Sequence, residues 1–240
     1  MGAWQVWAPY APDRLTAGLR VYAPPDPERP PAVAVFGTVL GAEPDARHLL
    51  DGLIVRVGAY PTSAFLERAP YRDTRRHLAE RGLGDDRPDG HEFIKSEFFR
   101  RPLPEGAVEA LVENLREGRV PRQSRELDFT PWGGAYNRVP AEATAFAHRD
   151  ERFLLLHAAL TGADASGTER KATRGWLKRS WETVHPWGSG GAYPNFPDSD
   201  LDGWACAYHG ENLDRLARVK GRYNPDGFFG FHQSVPGPRE

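Results

Sequence analysis

Glycine and proline interrupt this chain at short intervals. The 240 residues include 25 glycines and 22 prolines, and both residue types break helices and strands and favour turns. The fold must therefore consist of many short elements joined by turns and loops. Hydrophobic residues make up 40% of the chain, which is enough for a sizeable core in one large domain or in a domain with an appendage.

Two apolar runs near the start of the chain are predicted to be strands. Leu19 and Val21 lie in the first run, residues 32–36 form the second, and a proline-rich loop over 24–31 separates them. We expect the two strands to pair as an antiparallel hairpin. Three further strands are expected, over residues 92–99, 125–136 and 153–158.

Apolar residues at helical spacing predict the helices. One helix begins at Ser166, because Ser166 and Glu169 fit a capping box in which both side chains bond free backbone N–H groups. The last helix is predicted to stop at Gly221, and a polar loop is expected over 84–90. The predicted helices cover residues 43–53, 62–83 with a break near Pro70, 104–115, 166–181 and 211–220.

The order of these elements favours one fold class. Strands and helices are mixed, and the strands are separated by more than tight turns. This order predicts an α+β fold in which helices cover one face of an antiparallel sheet. His157 lies on an apolar strand and is predicted to be a satisfied core residue rather than a ligand.

Composition excludes several functional classes. The net charge is −2, which lacks the basic excess of a nucleic-acid-binding protein. No apolar run is long enough to span a membrane, and the N-terminus does not resemble a signal peptide. Cys206 is the only cysteine and the eight histidines have no metal-ligand spacing. We therefore expect a cytoplasmic protein with no disulfide, metal site, nucleic-acid partner or membrane contact.

Two stretches concentrate the residue types of a ligand site, although no dinucleotide-binding glycine loop or P-loop is present. Gly133 and Gly134 lie in the first stretch, 131–149. A glycine pair on a strand lets a ligand or a second backbone approach, or marks a bulge. The second stretch, 191–225, is dense in Tyr, Asn and Gly. That composition is typical of a ligand wall and also of a proline-rich surface turn, and both interpretations stay open here.

The second stretch resembles the C-terminal signature of berberine-bridge-like FAD-linked oxidases. Five pieces of that signature occur in the family's order, and the segment 133–149 resembles the central substrate-domain strands. The resemblance therefore extends over nearly the whole chain. The five pieces are Tyr193-Pro194-Asn195-Phe196-Pro197-Asp198, Tyr208-His209-Gly210-Glu211-Asn212, Lys220-Gly221-Arg222-Tyr223-Asn224-Pro225, Phe229, and Gln233-Ser234-Val235.

The resemblance implies a division of the chain and an activity. Residues 1–185 would be a substrate-binding domain, and residues 186–240 would be a C-terminal segment that packs on an FAD-binding domain. The implied reaction is oxidation of an alcohol or sugar-type hydroxyl, with hydride transfer to FAD and reoxidation by oxygen. The FAD-binding domain is not found in this sequence. Flavin binding by the chain alone is therefore expected to be weak or absent, with the domain either supplied by a separate chain or lost.

The resemblance also implies roles for individual residues. Phe196 replaces the usual second tyrosine of the signature. Arg138 takes the position of the glutamate that alkaloid-oxidising members use, which favours a tyrosine-based oxidation of a small-molecule alcohol. The implied catalytic residues are Tyr193 and Tyr136, the implied cofactor contacts are Asn195, Tyr223 and Asn224, and the implied substrate contacts are Trp132, Asn137 and Arg138.

A missing FAD-binding domain would leave apolar surface uncovered. The expected patch comprises Trp187, Tyr193, Phe196, Phe228 and Phe229. The alternative function is a stand-alone module that holds a sugar or an aromatic product in an aromatic cleft and has no redox activity. Tight small-molecule binding without flavin would distinguish this alternative.

Overall fold

Five apolar segments form one antiparallel sheet in the computed structural model, which describes residues 1–80 and 86–237. The strands are Leu15–Ala23 (β1), Ala32–Val39 (β2), Gly90–Phe99 (β3), Gln123–Pro131 (β4) and Phe153–Gly162 (β5). Their order across the sheet is β2-β1-β4-β5-β3, and every pairing is antiparallel.

The first two strands form the hairpin that the sequence predicts. They pair in continuous register from Leu15 opposite Val39 to Tyr22 opposite Ala32. Arg119 holds the proline-rich connection, because its guanidinium donates to four carbonyl oxygens of the loop. The long hairpin loop is therefore fixed by a cation from a distant part of the chain.

Helices cover one face of the sheet, which confirms the α+β prediction. The α-helices of the described residues are Gly2–Gln5 (α1), Glu43–Val57 (α2), Tyr71–Glu80 (α3), Glu105–Arg116 (α4), Gly167–Val184 (α5), Trp204–His209 (α6) and Leu213–Tyr223 (α7). Helix α5 packs on β3 and β5, and α4 packs on α5. Within the described residues, no helix is long and apolar enough to cross a membrane.

Odd-numbered residues of β3, β4 and β5 point toward the helices. Phe129 and Leu155 belong to this set and are almost fully buried. His157 also belongs to it, and its Nδ1 lies 2.8 Å from Oγ of Ser180 on α5. The ring is fully buried, so the predicted core position of His157 is confirmed, but its Nε2 has no hydrogen-bond partner among the described residues and the ring is only partly satisfied.

The start of α5 is the predicted capping box. The backbone N–H of Glu169 donates to Oγ of Ser166 at 3.2 Å, and the backbone N–H of Ser166 donates to the Glu169 carboxylate at 2.7 Å. Both bonds satisfy N–H groups that have no partner inside the helix.

Two predicted helices have different bounds in the structure. In the region predicted as helical over 62–83, the helix begins only at Tyr71, after Pro70, and residues 62–70 form no helix. Residues 81–85 lie outside the described part of the chain, as does the start of the predicted loop over 84–90. The last helix continues through the predicted stop at Gly221, because Gly221 does not take the left-handed conformation that ends many helices.

The strand predicted over 125–136 was wrong at its C-terminal end. Strand β4 stops at Pro131, and residues 134–138 form a 3-10 helix. Proline has no N–H group and cannot continue a strand ladder. Gly133 and Gly134 therefore follow the strand instead of lying on it.

Candidate functional site

Six aromatic side chains meet on the sheet face that α5 leaves free. Phe98 of β3 is fully buried there, with its ring centroid 6.2 Å from that of Tyr193. Trp132 lies 5.2 Å from Tyr193 and 5.3 Å from Tyr136, both in edge-to-face contact. Phe146 lies 6.3 Å and Phe196 lies 5.2 Å from Tyr193. We call these six residues the aromatic wall.

Hydrogen bonds to the outer edge of strand β3 set the position of Tyr193. The backbone N–H of Ser189 donates to the Phe98 carbonyl at 2.8 Å, and the Phe98 N–H donates to the Gly191 carbonyl at 2.9 Å. The N–H of Tyr193 then donates to Oγ of Ser96 at 3.0 Å. These bonds bring the second candidate stretch onto the sheet and place Tyr193 at its rim.

The buried carboxylate of Glu97 fixes the segment that leads to this edge. Glu97 is 2% exposed, and it lies 2.8 Å from Nδ1 of His185 and accepts the N–H of Gly190 at 3.0 Å. A Cβ on Gly188 would come within 2.2 Å of the carboxylate, so the backbone must be glycine there. Burial raises the pKa of Glu97, while the bond from His185 opposes that shift. Sequence reasoning missed Glu97, because nothing near it in the chain indicates its partners.

The Tyr193 hydroxyl has one partner, the side chain of Asn195. The Asn195 amide nitrogen donates to the phenolic oxygen at 2.8 Å. Tyr193 is half-buried and Asn195 is exposed. This bond fixes the orientation of the Tyr193 phenol at the rim of the aromatic wall.

Tyr136 is arranged differently. Its hydroxyl lies 3.4 Å from the Pro131 carbonyl, which is a long contact. Burial raises the pKa of Tyr136 to about 12. Tyr136 therefore keeps its proton near neutral pH and can donate a hydrogen bond to a ligand.

The structure brings Arg149, and not Arg138, to this wall. The Arg138 guanidinium pairs with Asp13 at 2.5 Å, and both side chains are exposed. Arg149 donates to the Tyr136 carbonyl at 2.9 Å and lies 4.9 Å over the Phe146 ring. The cation at the wall is therefore Arg149, which is not among the site residues predicted from the sequence.

Asn137 ties together the backbone beneath the wall. Its amide nitrogen donates to the carbonyls of Trp132 at 3.2 Å and Glu151 at 2.8 Å. Within the described part of the chain, its Oδ1 and the Trp132 indole nitrogen are buried without a hydrogen-bond partner. A buried group without a partner costs about 1–3 kcal/mol. Two such groups on neighbouring residues mark a place where water or a ligand hydroxyl would bind favourably.

The glycine pair accommodates the chain's own N-terminal region. A Cβ on Gly133 would lie 3.0 Å from the Pro9 carbonyl oxygen. Gly134 has φ of 78°, and a Cβ there would lie 3.1 Å from the Asp13 carboxylate. Of the interpretations that the sequence left open, approach by a second backbone is therefore the one observed.

The residues expected to touch a cofactor differ in their exposure and in whether their polar atoms are already hydrogen-bonded. Tyr223 is 73% exposed. Asn224 uses both ends of its side chain on Phe229, donating to its carbonyl at 2.8 Å and accepting its N–H at 3.2 Å. Asn224 thus shapes the turn after α7, and its contact with a cofactor stays a prediction.

The expected apolar patch is exposed in its C-terminal part. Phe228 and Phe229 are 84% and 74% exposed, and Trp187 is half-exposed. Tyr193 and Phe196 are partly buried in the aromatic wall. A groove of about 360 Å³ lies beside the phenylalanines, and its lining includes Tyr208, Leu216, Val219, Phe229 and Phe231.

Among residues 1–80 and 86–237, no group of three or more His, Cys, Asp or Glu side chains is placed to hold a metal ion.

Comparison with known proteins gives the following similarities. Residues 192–236 match the family model described as "Berberine and berberine like". The FAD-linked oxidoreductase YgaK of Bacillus subtilis (strain 168) is 31% identical over 97% of this chain and 48% of its own length. Berberine bridge enzyme-like 6 of Arabidopsis thaliana is 28% identical over 97% of this chain and 46% of its own length.

The fold is also that of a solved structure. BBE-like #28 from Arabidopsis thaliana superimposes with a TM-score of 0.82 at 23% identity, over 99% of this chain and 53% of that protein. The chain thus spans about half the length of the relatives that it matches.

Proposed function

This chain belongs to the berberine-bridge-enzyme-like family of FAD-linked oxidoreductases, and from that premise we propose that it forms the substrate-binding part of an FAD-dependent oxidase of alcohol or sugar-type hydroxyls. Residues 1–185 would bind the substrate, and residues 186–240 would form the segment that reaches the cofactor. The observation that carries the proposal is the Tyr193 phenol, held by Asn195 at 2.8 Å on an aromatic wall.

The described residues fit one side of a flavin site. Tyr193, Asn195 and Tyr223 present accessible polar and aromatic groups, and these residues would contact FAD. When bound, FAD would accept a hydride from the substrate carbon and oxygen would reoxidise it. No glycine-rich phosphate-binding loop occurs in the sequence, so flavin binding by this chain alone should be weak or absent.

Residues of the aromatic wall would bind the substrate and take up its proton. Tyr193 would accept the proton of the substrate hydroxyl, with Asn195 stabilising the phenolate. Tyr136 stays protonated because of its raised pKa, and it would donate a hydrogen bond to the substrate. Trp132 would stack on a flat face of the substrate and offer its unpartnered indole N–H.

The experiment uses this chain together with the part of YgaK that it does not match, co-expressed as a separate polypeptide. We expect a yellow complex that releases hydrogen peroxide with at least one member of a panel of alcohols and sugars. Tyr193→Phe should keep the flavin and lose turnover. A flavin-loaded complex that oxidises nothing in the panel, or a fully active Tyr193→Phe, would contradict the proposal.

Ligand binding by the chain alone tests the alternative function, a binding module without redox activity. Calorimetric titration of the same panel, without flavin, should show weak binding at most. Tight binding of a sugar or aromatic compound by the chain alone would instead favour the binding module that has no redox activity.

A further inference from the structure

The outer edge of β2 pairs with no other strand among the described residues. The other edge strand, β3, is covered by residues 189–191 of the same chain, whereas β2 pairs only with β1 among the described residues. Natural sheets blunt a free edge with lysine, proline or a bulge, because unpaired N–H and C=O groups recruit another strand. Strand β2 has none of these devices, and residues 30–42 carry no charged side chain.

The hairpin register identifies the groups at this edge. The N–H of Leu40 donates to the Arg14 carbonyl at 2.8 Å, so even-numbered residues on this side of the hairpin bond to the β1 side. Alternate residues of an antiparallel strand bond to opposite neighbours. The backbone groups of Val33, Val35 and Gly37 therefore point to the free edge.

The side chains at this edge are apolar and open. Val33 is 64% exposed and Val35 is 38% exposed. The even-numbered residues Ala34, Phe36 and Thr38 are all less exposed than Val33. Helix α3 contacts β2, but the valine side of the strand is left open to solvent.

We propose that two copies of this chain associate through β2, pairing antiparallel about a twofold axis so that the two five-stranded sheets become continuous. An uncharged strand is self-complementary, because pairing with itself opposes no like charges. Registers that place Val35 opposite Val35, or Val35 opposite Gly37, set outward N–H groups against outward carbonyls. A second copy also offers a strand of matching length and polarity, and the net charge of −2 gives little long-range repulsion.

The first test is the mass of the purified 240-residue chain in solution. Two eight-residue strands bury less than a standard interface, so the dimer should dissociate on dilution. Sedimentation over a concentration series should show a species of twice 26.8 kDa at the high end. A chain that stays monomeric at every concentration overturns the proposal and leaves this edge for a different polypeptide.

Two variants locate the interface. Val35→Pro removes one outward N–H without touching the bonds to β1, and Val33→Lys introduces the kind of edge charge that natural sheets use to block strand pairing. Each should raise the dissociation constant about tenfold or more. Val55→Lys is the matched control, because Val55 is an 80% exposed valine on α2, and it should leave the constant unchanged.

Hydrogen exchange gives a readout that does not depend on the variants folding. In the unmodified chain, the amides of Val33, Val35 and Gly37 should become more protected as concentration rises. A dimer that persists in folded Val35→Pro and Val33→Lys, or one that forms without protecting these amides, would place the interface elsewhere and overturn the proposal.

Discussion

The phenolic oxygen of Tyr193 accepts a hydrogen bond from the amide nitrogen of Asn195 at 2.8 Å. The two residues are separated only by Pro194, so their relative position depends little on the rest of the fold. Ser96 then places the pair by accepting the Tyr193 backbone N–H. A local unit and one non-local bond therefore suffice to put a polar oxygen on the aromatic wall.

Replacing Asn195 with alanine should slow substrate oxidation without destabilising the chain. The substitution removes the donor that would stabilise negative charge on the phenol, and a bond to a charged group contributes about 1.5–3 kcal/mol. We expect turnover in the flavin-loaded complex to fall about tenfold or more. The midpoint of urea unfolding should not change, because Asn195 is exposed. Unchanged turnover would remove Asn195 from the proposed mechanism.

Glu97→Gln should loosen the segment that carries Tyr193. The glutamine keeps an acceptor for Gly190 but loses the charged bond with His185. We expect the free energy of unfolding to fall by about 2–3 kcal/mol. The loss should be smaller than for a fully buried ion pair, because the His185 side chain is half-exposed. Hydrogen exchange should speed up over residues 188–193.

Glu182→Gln is the control for this change. Glu182 pairs with Lys178 at 3.7 Å on the exposed side of α5, and such surface pairs contribute about 0.5 kcal/mol or less. Equal effects of the two glutamine variants would show that the Glu97 carboxylate has no special role.

His157 should make the chain less stable in acid. Burial lowers the pKa of His157 to about 3, from an ordinary value of 6.5. Below pH 6.5 the unfolded chain binds a proton that the folded chain does not, so stability is lost as the pH falls toward 3. Each pH unit in this window costs about 1.4 kcal/mol.

The measurement is the urea midpoint across this pH window for the unmodified chain and for His157→Gln. The glutamine cannot titrate, so its midpoint should fall less steeply as the pH is lowered. Parallel pH profiles for the two proteins would show that His157 does not carry the effect.

Ser166→Ala should destabilise α5 by about 1 kcal/mol, because it removes an N-cap acceptor. The check is thermal or urea unfolding followed by circular dichroism. Thr168→Ala in the same turn is the matched control, since the capping-box bonds do not involve Thr168. A loss of similar size in both variants would show that the capping box is not the cause, because alanine has the higher helix propensity at both positions.

The exposed phenylalanines after α7 should govern association with the FAD-binding part of a relative. We expect Phe228→Ser and Phe229→Ser to abolish copurification with the unmatched part of YgaK, because burial of a large apolar side chain stabilises by about 1.5–3 kcal/mol. Tyr60→Ser, at a residue that is 87% exposed on the helix α2 side of the chain, should copurify normally. Retention by the phenylalanine variants would place the contact on another surface.

Features set by neighbouring residues were predictable. The hairpin of β1 and β2, the capping box at Ser166 and the buried state of His157 all follow from short patterns of apolar and polar residues. The strand predicted to reach Tyr136 and the helix predicted to stop at Gly221 were wrong at their ends. Local propensity is weakest at such ends, because tertiary contacts decide where an element stops.

Partners distant in the chain were not predictable. Arg138 was predicted as a substrate contact, and the structure pairs its guanidinium with Asp13, a partner that no local pattern indicates. Glu97 and Arg149 have no local pattern that marks them, yet they organise the Tyr193 segment and the Tyr136 side of the wall.

The sequence by itself determined the fold class, the hairpin and the family signature, because each depends on residues close together in the chain. The tertiary structure alone decided which charges pair, how far burial raises the pKa of Tyr136 and which sheet edge pairs with no other described strand. Those outcomes depend on burial and on which distant segments meet, and neither is encoded in the spacing of residues within any single segment.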